Sequence, residues 1–239
     1  MPTPYNLAIQ EHCTECTVRA SRPFCNMSPN AVEALDRSKF AGVYPKGSLL
    51  FVEGEQPRGV FILCNGRAKL TTTSSEGRTL IVKIAGPGEL LGASATILGR
   101  PYEVSGETLE PCQVNFIRRD DFLRLLATHS EVCLRTAHQL SEKYESAQKE
   151  IRSLGLAQTT SEKLAKLILD WSHDTGEDTV NGRRLQVLLT HEEIAQMIGT
   201  TRETVTRLLS DFKRRKLISV KGSSFFVLAQ EQMAQMVNI

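Results

Sequence analysis

Short apolar or alternating runs, separated by glycines, fill the chain between about residues 43 and 117. The strand candidates are Ser48–Val52, Gly59–Cys64, Arg67–Thr73, Thr79–Ala85, Glu103–Thr108 and Gln113–Ile117. Parallel neighbours would need crossover connections of about a dozen or more residues, and the intervals between these runs leave no room for them. The pattern therefore predicts an antiparallel β-sandwich or jelly roll.

The period of the apolar positions changes after Arg119. Apolar residues then recur at alternating steps of four and three, at Cys133, Ala137, Leu140, Tyr144, Ala147, Ile151 and Leu154. This heptad pattern predicts a long helix, and Gly155 is its predicted end. Packing on the chain's own core is one interpretation of the stripe. The length and narrow seam favour a parallel coiled-coil dimer, whose predicted interface runs from Ala137 to Leu154.

The last 80 or so residues are predicted to be helical and then β. Thr190 begins one helix, Gly199 ends it, and Thr200 with Glu203 is the predicted capping box of the next helix. The segments 217–220 and 224–228 read as a hairpin. Two short helices joined by a glycine-containing turn and followed by a hairpin predict a winged helix-turn-helix.

The helix after Gly199 has one apolar and one polar face. Val205, Leu208, Leu209 and Phe212 fall at i, i+3, i+4 and i+7 and form one stripe. The opposite face carries the predicted base-reading residues Arg202, Glu203, Thr206 and Arg207. An arginine can donate a forked pair of hydrogen bonds to guanine O6 and N7, and a glutamate can accept from cytosine N4. The N-terminal end of a recognition helix is the part that meets base edges.

Basic residues are concentrated at this helix. Residues 201–222 hold seven basic and two acidic residues, whereas the whole chain has 29 Lys plus Arg against 27 Asp plus Glu. The balanced total excludes a generally polycationic protein, and the local excess indicates a DNA-binding surface. The predicted phosphate contacts are Thr190, Thr201, Lys213, Arg214, Arg215, Lys216 and Lys221.

Several classes of protein are excluded by what the chain lacks. No stretch approaches 18 apolar residues, so we expect no membrane span and no membrane partner. The first twelve residues carry neither a basic residue nor an apolar block, so we expect no secretory signal and a cytoplasmic protein. We find no Ser-His-Asp ordering, no glycine-rich phosphate loop and no helix with paired histidines. We therefore expect no enzyme.

Six cysteines in a reducing compartment are not expected to form disulfides. Cys13, Cys16 and Cys25 crowd the N-terminus as a Cys-x-x-Cys pair and a third cysteine after eight further residues, which favours metal binding. Cys64 follows an apolar run and is predicted to be a buried strand residue. Cys133 is predicted to be a small packing residue in its helix.

The order of β-roll, long helix and winged helix resembles the cyclic-AMP receptor/fumarate-nitrate-reduction regulator superfamily over nearly the whole chain. Arg202–Arg207 is similar to that family's recognition-helix motif, and Thr190–Ala195 to the start of the preceding helix. Pro45–Gly47 and Gly86–Gly92 resemble its β-roll turns. The resemblance implies an α+β fold that begins with a cyclic-nucleotide-binding-like jelly roll.

The pattern along the chain, with which the resemblance agrees, predicts a division into four segments. These are a cysteine-bearing arm at 1–27, a β-roll sensor domain at 28–118, a dimerisation helix at 119–156 and a winged helix-turn-helix at 157–239. The resemblance also implies that the partners are a second copy of the chain, double-stranded DNA and RNA polymerase.

Two branches of the superfamily differ in what they sense. The cyclic-nucleotide branch holds the ligand's phosphate with an Arg-Ser or Arg-Thr pair after a Gly-Glu segment. Here Gly88-Glu89 is followed by Arg100-Pro101, and Glu103 would repel a phosphate. No cyclic nucleotide is therefore expected.

The iron-sulfur branch carries an N-terminal cysteine cluster and one cysteine late in the β-roll. Cys13, Cys16, Cys25 and Cys112 match these positions, although the Cys16–Cys25 interval is longer than in the best-known members. The resemblance thus implies that these four hold a [4Fe–4S] cluster that oxygen or nitric oxide dismantles. On this hypothesis only the cluster ties the arm to the β-roll. Structural zinc, a small ligand and thiol oxidation remain alternatives.

The operator follows from Arg202. Cyclic-AMP receptors have arginine there and read TGTGA, whereas oxygen-sensing relatives commonly have an apolar residue and read a TTGAT-like half-site. We expect a palindrome with TGTGA-like arms, and TTGAT-like arms are the alternative.

Overall fold

The computed structural model describes residues 5, 7, 9–155, 159–179, 182–186, 189–221 and 224–237. Only the backbone is described at 149–155, 174–175, 186, 221 and 224. The chain divides into two compact units, a first unit of residues 1–149 and a second unit of residues 150–239. Among the described residues, no helix has the length and apolar character that crossing a membrane requires.

Two four-stranded antiparallel sheets form the β-roll of the first unit. One sheet has the order β1 (Lys39–Tyr44), β8 (Cys112–Arg118), β3 (Gly59–Asn65) and β6 (Leu90–Leu91). The other has the order β2 (Leu49–Phe51), β7 (Ser105–Thr108), β4 (Ala68–Thr73) and β5 (Thr79–Ala85). The predicted antiparallel architecture is confirmed, and each predicted strand is present with small shifts at its ends.

The strands β1 and β6 were not predicted, for different physical reasons. β6 is only two residues long, too short to show any period, and it pairs with Phe61 and Ile62 of β3. β1 pairs with β8 over its whole length although it contains Gly42, which weakens the local strand signal. Both strands exist because a neighbouring strand supplies their hydrogen bonds.

Four helices complete the first unit: α1 (Pro29–Ser38), α2 (Ala93–Leu98), α3 (Arg119–Thr128) and α4 (Ser130–Gly155). Two short 3-10 turns, Cys13–Glu15 and Arg19–Ser21, precede them. The predicted long helix is confirmed, and the structure describes it as far as Gly155. Cys133, predicted to be a small packing residue, is exposed on α4 in the single chain.

The sheet β1-β8-β3-β6 separates two apolar clusters. The inner cluster fills the roll and includes Phe61 and Leu63 of β3 and Val114 of β8. The outer cluster includes Val60 and Ile62 of β3, together with residues of α1, α3, α4 and the arm. Successive side chains of a strand point to opposite faces, and this period of two sorts the residues of β3 and β8 between the clusters.

The second unit holds α5 (Thr160–Thr175), β9 (Glu177–Thr179), β10 (Gly182–Gln186), α6 (His191–Ile198), α7 (Arg202–Arg214), β11 (Ile218–Lys221), β12 (Ser224–Val227) and α8 (Gln230–Met236). Its sheet has the order β11-β12-β10-β9. A single apolar core joins the helices to this sheet and includes the buried side chains of Leu185, Ile194 and Phe212. The predicted winged helix-turn-helix is confirmed.

The turn between α6 and α7 differs from the predicted one in its cap. Gly199 ends α6 with a φ of 67°, a left-handed conformation that glycine adopts without strain. The predicted capping box of Thr200 and Glu203 is wrong, because Thr201 is the cap of α7. The Oγ1 atom of Thr201 accepts a hydrogen bond of 3.3 Å from the backbone N–H of Thr204.

Candidate nucleic-acid interface and thiol cluster

Helix α7 presents its polar side chains to solvent because its apolar stripe is used in the core. Val205, Leu209 and Phe212 are buried. On the other faces, the predicted base-reading residues Arg202, Glu203, Thr206 and Arg207 are all exposed. They occupy the first two turns of the helix. A groove-binding helix needs this arrangement, with one side anchored and the other free to meet base edges.

The exposed face has internal contacts that fix some side chains. Thr206 Oγ1 donates to the carbonyl of Arg202 at 2.9 Å and lies 2.9 Å from His191 Nδ1, which links α7 to α6. Hydrogen bonds from its own backbone N–H and from Thr201 lower the pKa of Glu203, so this carboxylate is ionised and held at the helix N-terminus. Among the described residues, Arg202 and Arg207 take part in no ion pair.

The predicted phosphate contacts differ in how they are engaged. Lys213 and Lys216 are exposed, whereas Arg214 and Arg215 pair with Asp211, which neutralises part of their charge. Thr190 is the cap of α6, and its Oγ1 accepts from the backbone N–H of Glu193 at 3.2 Å. Thr201 is likewise occupied as the cap of α7. Lys221 lies in β11, and its side chain is outside the described residues.

Helix α4 has two separate stripes. The stripe of Val132, Thr136 and Gln139 is buried against the first unit. The predicted dimer seam lies beside it: Ala137, Tyr144 and Ala147 are exposed, and Leu140 is half-buried. Ile151 and Leu154 belong to the part of α4 whose side chains are outside the described residues. Leu140 also packs against the outer cluster, whereas Ala137, Tyr144 and Ala147 stay exposed.

Two polar side chains of α4 hold the strand β6. The Oε1 atom of Gln139 accepts from the backbone N–H of Leu90 at 2.8 Å, and its Nε2 atom donates to the carbonyl of Gly88 at 3.1 Å. Lys143 Nζ donates to the carbonyl of Leu90 at 3.0 Å, and burial lowers its pKa. These bonds couple α4 to the Gly88–Leu90 segment of the roll.

The N-terminal arm is packed on the outer face of the roll by ordinary contacts. The backbone of Gln10 and the side chain of Gln113 exchange hydrogen bonds of 2.8 and 2.6 Å. The backbone N–H of Cys13 donates to Asp36 at 2.7 Å, and Phe24 is fully buried. The expectation that only a cluster ties the arm down is therefore wrong.

The structure brings Cys13 and Cys25 to the outer cluster but not Cys112. The Cys112 thiol belongs to the inner cluster and lies 3.1 Å from the carbonyl of Glu110 and 3.3 Å from that of Arg67. Cys64, which was predicted to be buried, is half-buried near the arm cysteines. Within the described residues, no three His, Cys, Asp or Glu side chains are close enough to be recognised as a metal-ion site.

The electrostatics of the thiols separate the same two groups. Burial and the nearby Cys16 raise the pKa of Cys25 to about 11. Burial, Cys25 and Cys16 together raise the pKa of Cys64 to about 12. Burial also raises the pKa of Cys112 to about 11, but there the neighbouring charge is Glu110. Cys64 is thus the cysteine of the roll whose pKa is raised by cysteines of the arm.

Comparison with known proteins assigns the two units. A cyclic nucleotide-binding domain model matches residues 42–129, and a Crp-like helix-turn-helix domain model matches residues 162–236. A CRP-like cAMP-activated global transcriptional regulator of Mycobacterium tuberculosis is 26% identical over 89% of this chain and 94% of its own length. The fumarate and nitrate reduction regulatory protein of Yersinia pestis is 26% identical over 94% of this chain and 90% of its own length.

Solved structures agree on the fold. FixK2 from Bradyrhizobium japonicum superimposes with a TM-score of 0.73 at 17% identity, covering 84% of this chain and 98% of that one. The domain models match in the same order as the roll and the winged helix, and the relatives extend over nearly the whole chain. The protein belongs to the CRP/FNR family of transcription regulators.

Proposed function

We propose that the protein is a homodimeric, sequence-specific DNA-binding regulator whose DNA affinity is set by a [4Fe–4S] cluster that oxygen or nitric oxide dismantles. The exposed polar face of α7 is the observation that carries the DNA-binding part. Arg202 and Arg207 present exposed guanidinium groups there, and Lys213 and Lys216 extend the positive surface. RNA polymerase is the second partner in this proposal, and the cytoplasm is its place of action.

The exposed seam of α4 supports a dimer. Tyr144 is 66% exposed although it is a large side chain, and Ala137 and Ala147 lie on the same stripe. A second copy would cover this stripe as a parallel coiled coil. Two recognition helices related by a two-fold axis read half-sites one helical turn apart, which makes the operator a palindrome. Its arms are TGTGA-like in this proposal, and TTGAT-like arms are the alternative.

The chemistry of the available donors, four cysteine thiols, suits an iron-sulfur cluster. Cys13, Cys16 and Cys25 supply three sulfurs from the arm, and one cysteine of the roll completes the set. A bound cluster supplies a link between arm and roll that reaction with oxygen or nitric oxide removes. Each iron of such a cluster takes one protein thiolate, so its ligand sulfurs are spaced more widely than those around a single zinc ion. Four thiolates on one ion lie at about 2.3 Å from it.

Two sets of hydrogen bonds connect the arm and the adjoining Ser28 to α4. Through them, loss of the cluster can act on α4 in this proposal. The carbonyl of Gly88 accepts from the backbone N–H of Phe24 at 3.2 Å and also from Gln139 of α4. The backbone N–H and the hydroxyl of Ser28 donate to the Glu131 carboxylate of α4 at 2.8 and 2.6 Å. A change in the seating of the arm therefore bears on α4, and through its seam on the spacing of the recognition helices.

The alternatives differ in how the described contacts support them. The segment that would receive a cyclic phosphate carries Glu89 and Glu103. Both carboxylates raise the pKa of Lys143, whereas the burial of Lys143 lowers it. Glu103 accepts from Ser94 at 2.9 Å, and the carboxylate of Glu89 pairs with Lys83. The carboxylate of Glu103 disfavours a phosphate ligand there. Regulation by thiol oxidation, structural zinc or another small ligand is the second candidate.

The DNA-binding proposal is tested by binding to a TGTGA-armed palindrome, a TTGAT-armed palindrome and a random duplex. Arg202→Ala should cost about 1–3 kcal/mol per half-site and relax one base position. Lys213→Ala, the matched control, should weaken binding to all duplexes alike and reduce the slope of log K against log salt by about 1 per half-site. Equal affinity of the wild type for all three duplexes would overturn the proposal. A uniform loss in Arg202→Ala would make Arg202 a phosphate contact.

The gating proposal is tested on protein purified without oxygen. Iron and acid-labile sulfide are measured together with operator affinity, before and after exposure to air. We expect about four irons and four sulfides per chain, a thiolate-to-iron absorption band and a loss of affinity in air. Protein without iron, or with zinc in its place, would overturn the cluster while leaving DNA binding intact.

A further inference from the structure

We propose that Cys64 of β3, and not Cys112, is the roll's ligand to the cluster, together with Cys13, Cys16 and Cys25. This inference rests on the proposed function, since it assigns the ligands of the proposed cluster. These four cysteines are called the thiol site below. The resemblance to the iron-sulfur branch implies Cys112 instead, so the two assignments make opposite predictions about two single substitutions.

The alternation of side chains along β8 directs Cys112 away from the arm. Cys112 and Val114 belong to the inner cluster, whereas Ile117 belongs to the outer one. Gln113 and Asn115, which share the outward parity with Ile117, contact the arm at Gln10 and Cys13. A strand cannot turn one residue to its other face without shifting its register. The register of β8 is held on both sides by β1 and β3.

The alternation along β3 directs Cys64 toward the arm. Val60 and Ile62 face the outer cluster, and Phe61 and Leu63 face the inner one. Cys64 therefore has the outward parity. It also lies at the point where the pairing of β3 with β8 shifts register, between Leu63 and Asn65. The β8 residue paired with β3 at this shift is Gln113, whose side chain contacts the arm at Gln10.

Asn115 lies between Cys13 and Cys64 and contacts both sulfurs. Its Nδ2 atom donates to Cys13 Sγ at 3.5 Å. The backbone N–H of Asn115 donates a hydrogen bond to the Cys64 sulfur. Asn115 is 1% exposed, and among the described residues its Oδ1 atom has no hydrogen-bond partner. Donors aimed at ligand sulfurs are typical of sites that hold thiolates.

The surroundings of Cys112 show a packed thiol instead of an available ligand. Its hydrogen bonds go to the carbonyls of Glu110 and Arg67, and it is fully buried. A Cβ atom added at Gly66 would lie 2.5 Å from its sulfur, so the turn after β3 closes directly over it. Cys112 behaves as a small core residue, which is the common role of a buried cysteine.

The test compares Cys64→Ser and Cys112→Ser in the full chain, purified without oxygen. The readouts are iron per chain, the thiolate-to-iron absorption band and far-UV circular dichroism as the measure of folding. We expect Cys64→Ser to lose at least half of the iron and Cys112→Ser to keep the wild-type content. The reverse result would overturn the inference and leave the proposed function standing. Wild-type protein without iron would overturn both.

Alkylation of the unaltered protein gives a readout that does not depend on how a variant folds. Iodoacetamide labelling is mapped by mass spectrometry before and after a chelator removes the iron. Cys64 should label several-fold faster after iron removal, whereas fully buried Cys112 should label slowly in both states. Unchanged labelling of Cys64, with increased labelling of Cys112, would show that Cys112 is the ligand.

Discussion

The recognition helix and the thiol site differ in how their residues come together. The residues of α7 that face solvent lie within one helix, and the helical period alone separates them from buried Val205, Leu209 and Phe212. The thiol site joins an arm to a strand, and Cys64 and Cys112 are sorted by which face of a sheet they occupy. The residues of a site within one helix can be predicted from the sequence of that helix alone. The residues of a site between segments also depend on the register of the strands that bring them together.

The largest expected effect tests whether the two units are independent. Phe212→Ala removes a fully buried ring from the second unit and should lower its free energy of unfolding by about 3–5 kcal/mol. Trp171, the chain's single tryptophan, packs against the same core, so its fluorescence during urea denaturation reports on this unit. Operator binding should fall with the loss of folded unit, while the iron content stays unchanged.

Phe24→Ala is the matched control in the first unit, where Phe24 is equally buried. It should loosen the arm and leave the Trp171 transition unchanged. An equal shift of that transition in both variants would show that the two units unfold as one, and the distinction between them would then lose its basis.

The elements that sequence reasoning identified are those with a strong period of their own. The strands β3, β4, β5 and β8, the helix α4 and the helix-turn-helix were all predicted. The strands β1, β6, β9 and β10 were missed because they are short, polar or interrupted by glycine, and their partners supply the hydrogen bonds. The face on which Cys112 lies was not predicted. Its signal was available, since Val114 and Phe116 share its parity in an apolar strand.

The capping error has a similar cause. Thr200 and Thr201 both fit the pattern of a helix start. A shift of one position in the start of α7 determines which hydroxyl accepts from the backbone N–H groups of its first turn. The turn from Gly199 sets that position, and Thr201 takes it. The local pattern therefore predicts that a threonine caps α7. Which threonine it is depends on the geometry of the preceding turn.

The next effect in size concerns the anchor of the arm. Burial raises the pKa of Asp36, but hydrogen bonds from Cys13, Lys39 and His12 outweigh it and lower the value to about 2. A carboxyl whose folded pKa lies below its unfolded value stabilises the fold above about pH 4, and loses this effect as the pH falls toward 2. The shift corresponds to about 2 kcal/mol.

Asp36→Asn should therefore lower the stability of the first unit at pH 7 by about 2 kcal/mol and flatten its decline between pH 4 and 2. The measurement is urea denaturation followed by circular dichroism at several pH values. Asp120→Asn is the control because the Asp120 side chain is 87% exposed, so we expect a change within about 0.5 kcal/mol. An Asp36→Asn profile that declines as steeply as the wild type would mean that another carboxyl anchors the arm.

The smallest effect distinguishes a cap from a phosphate contact at Thr190. Its hydroxyl accepts from the backbone N–H of Glu193, while the Glu193 carboxylate accepts from the backbone N–H of Thr190 at 2.9 Å. Thr190→Ala should lower the stability of the second unit by about 1 kcal/mol, and Thr190→Ser should restore it. Trp171 fluorescence measures the change. Because the hydroxyl is used within the helix and carries no charge, the salt dependence of operator binding should not change, in contrast to Lys213→Ala. A loss of operator affinity in Thr190→Ala without a loss of stability would instead identify Thr190 as a DNA contact. The DNA-binding surface would then include a residue that also caps a helix.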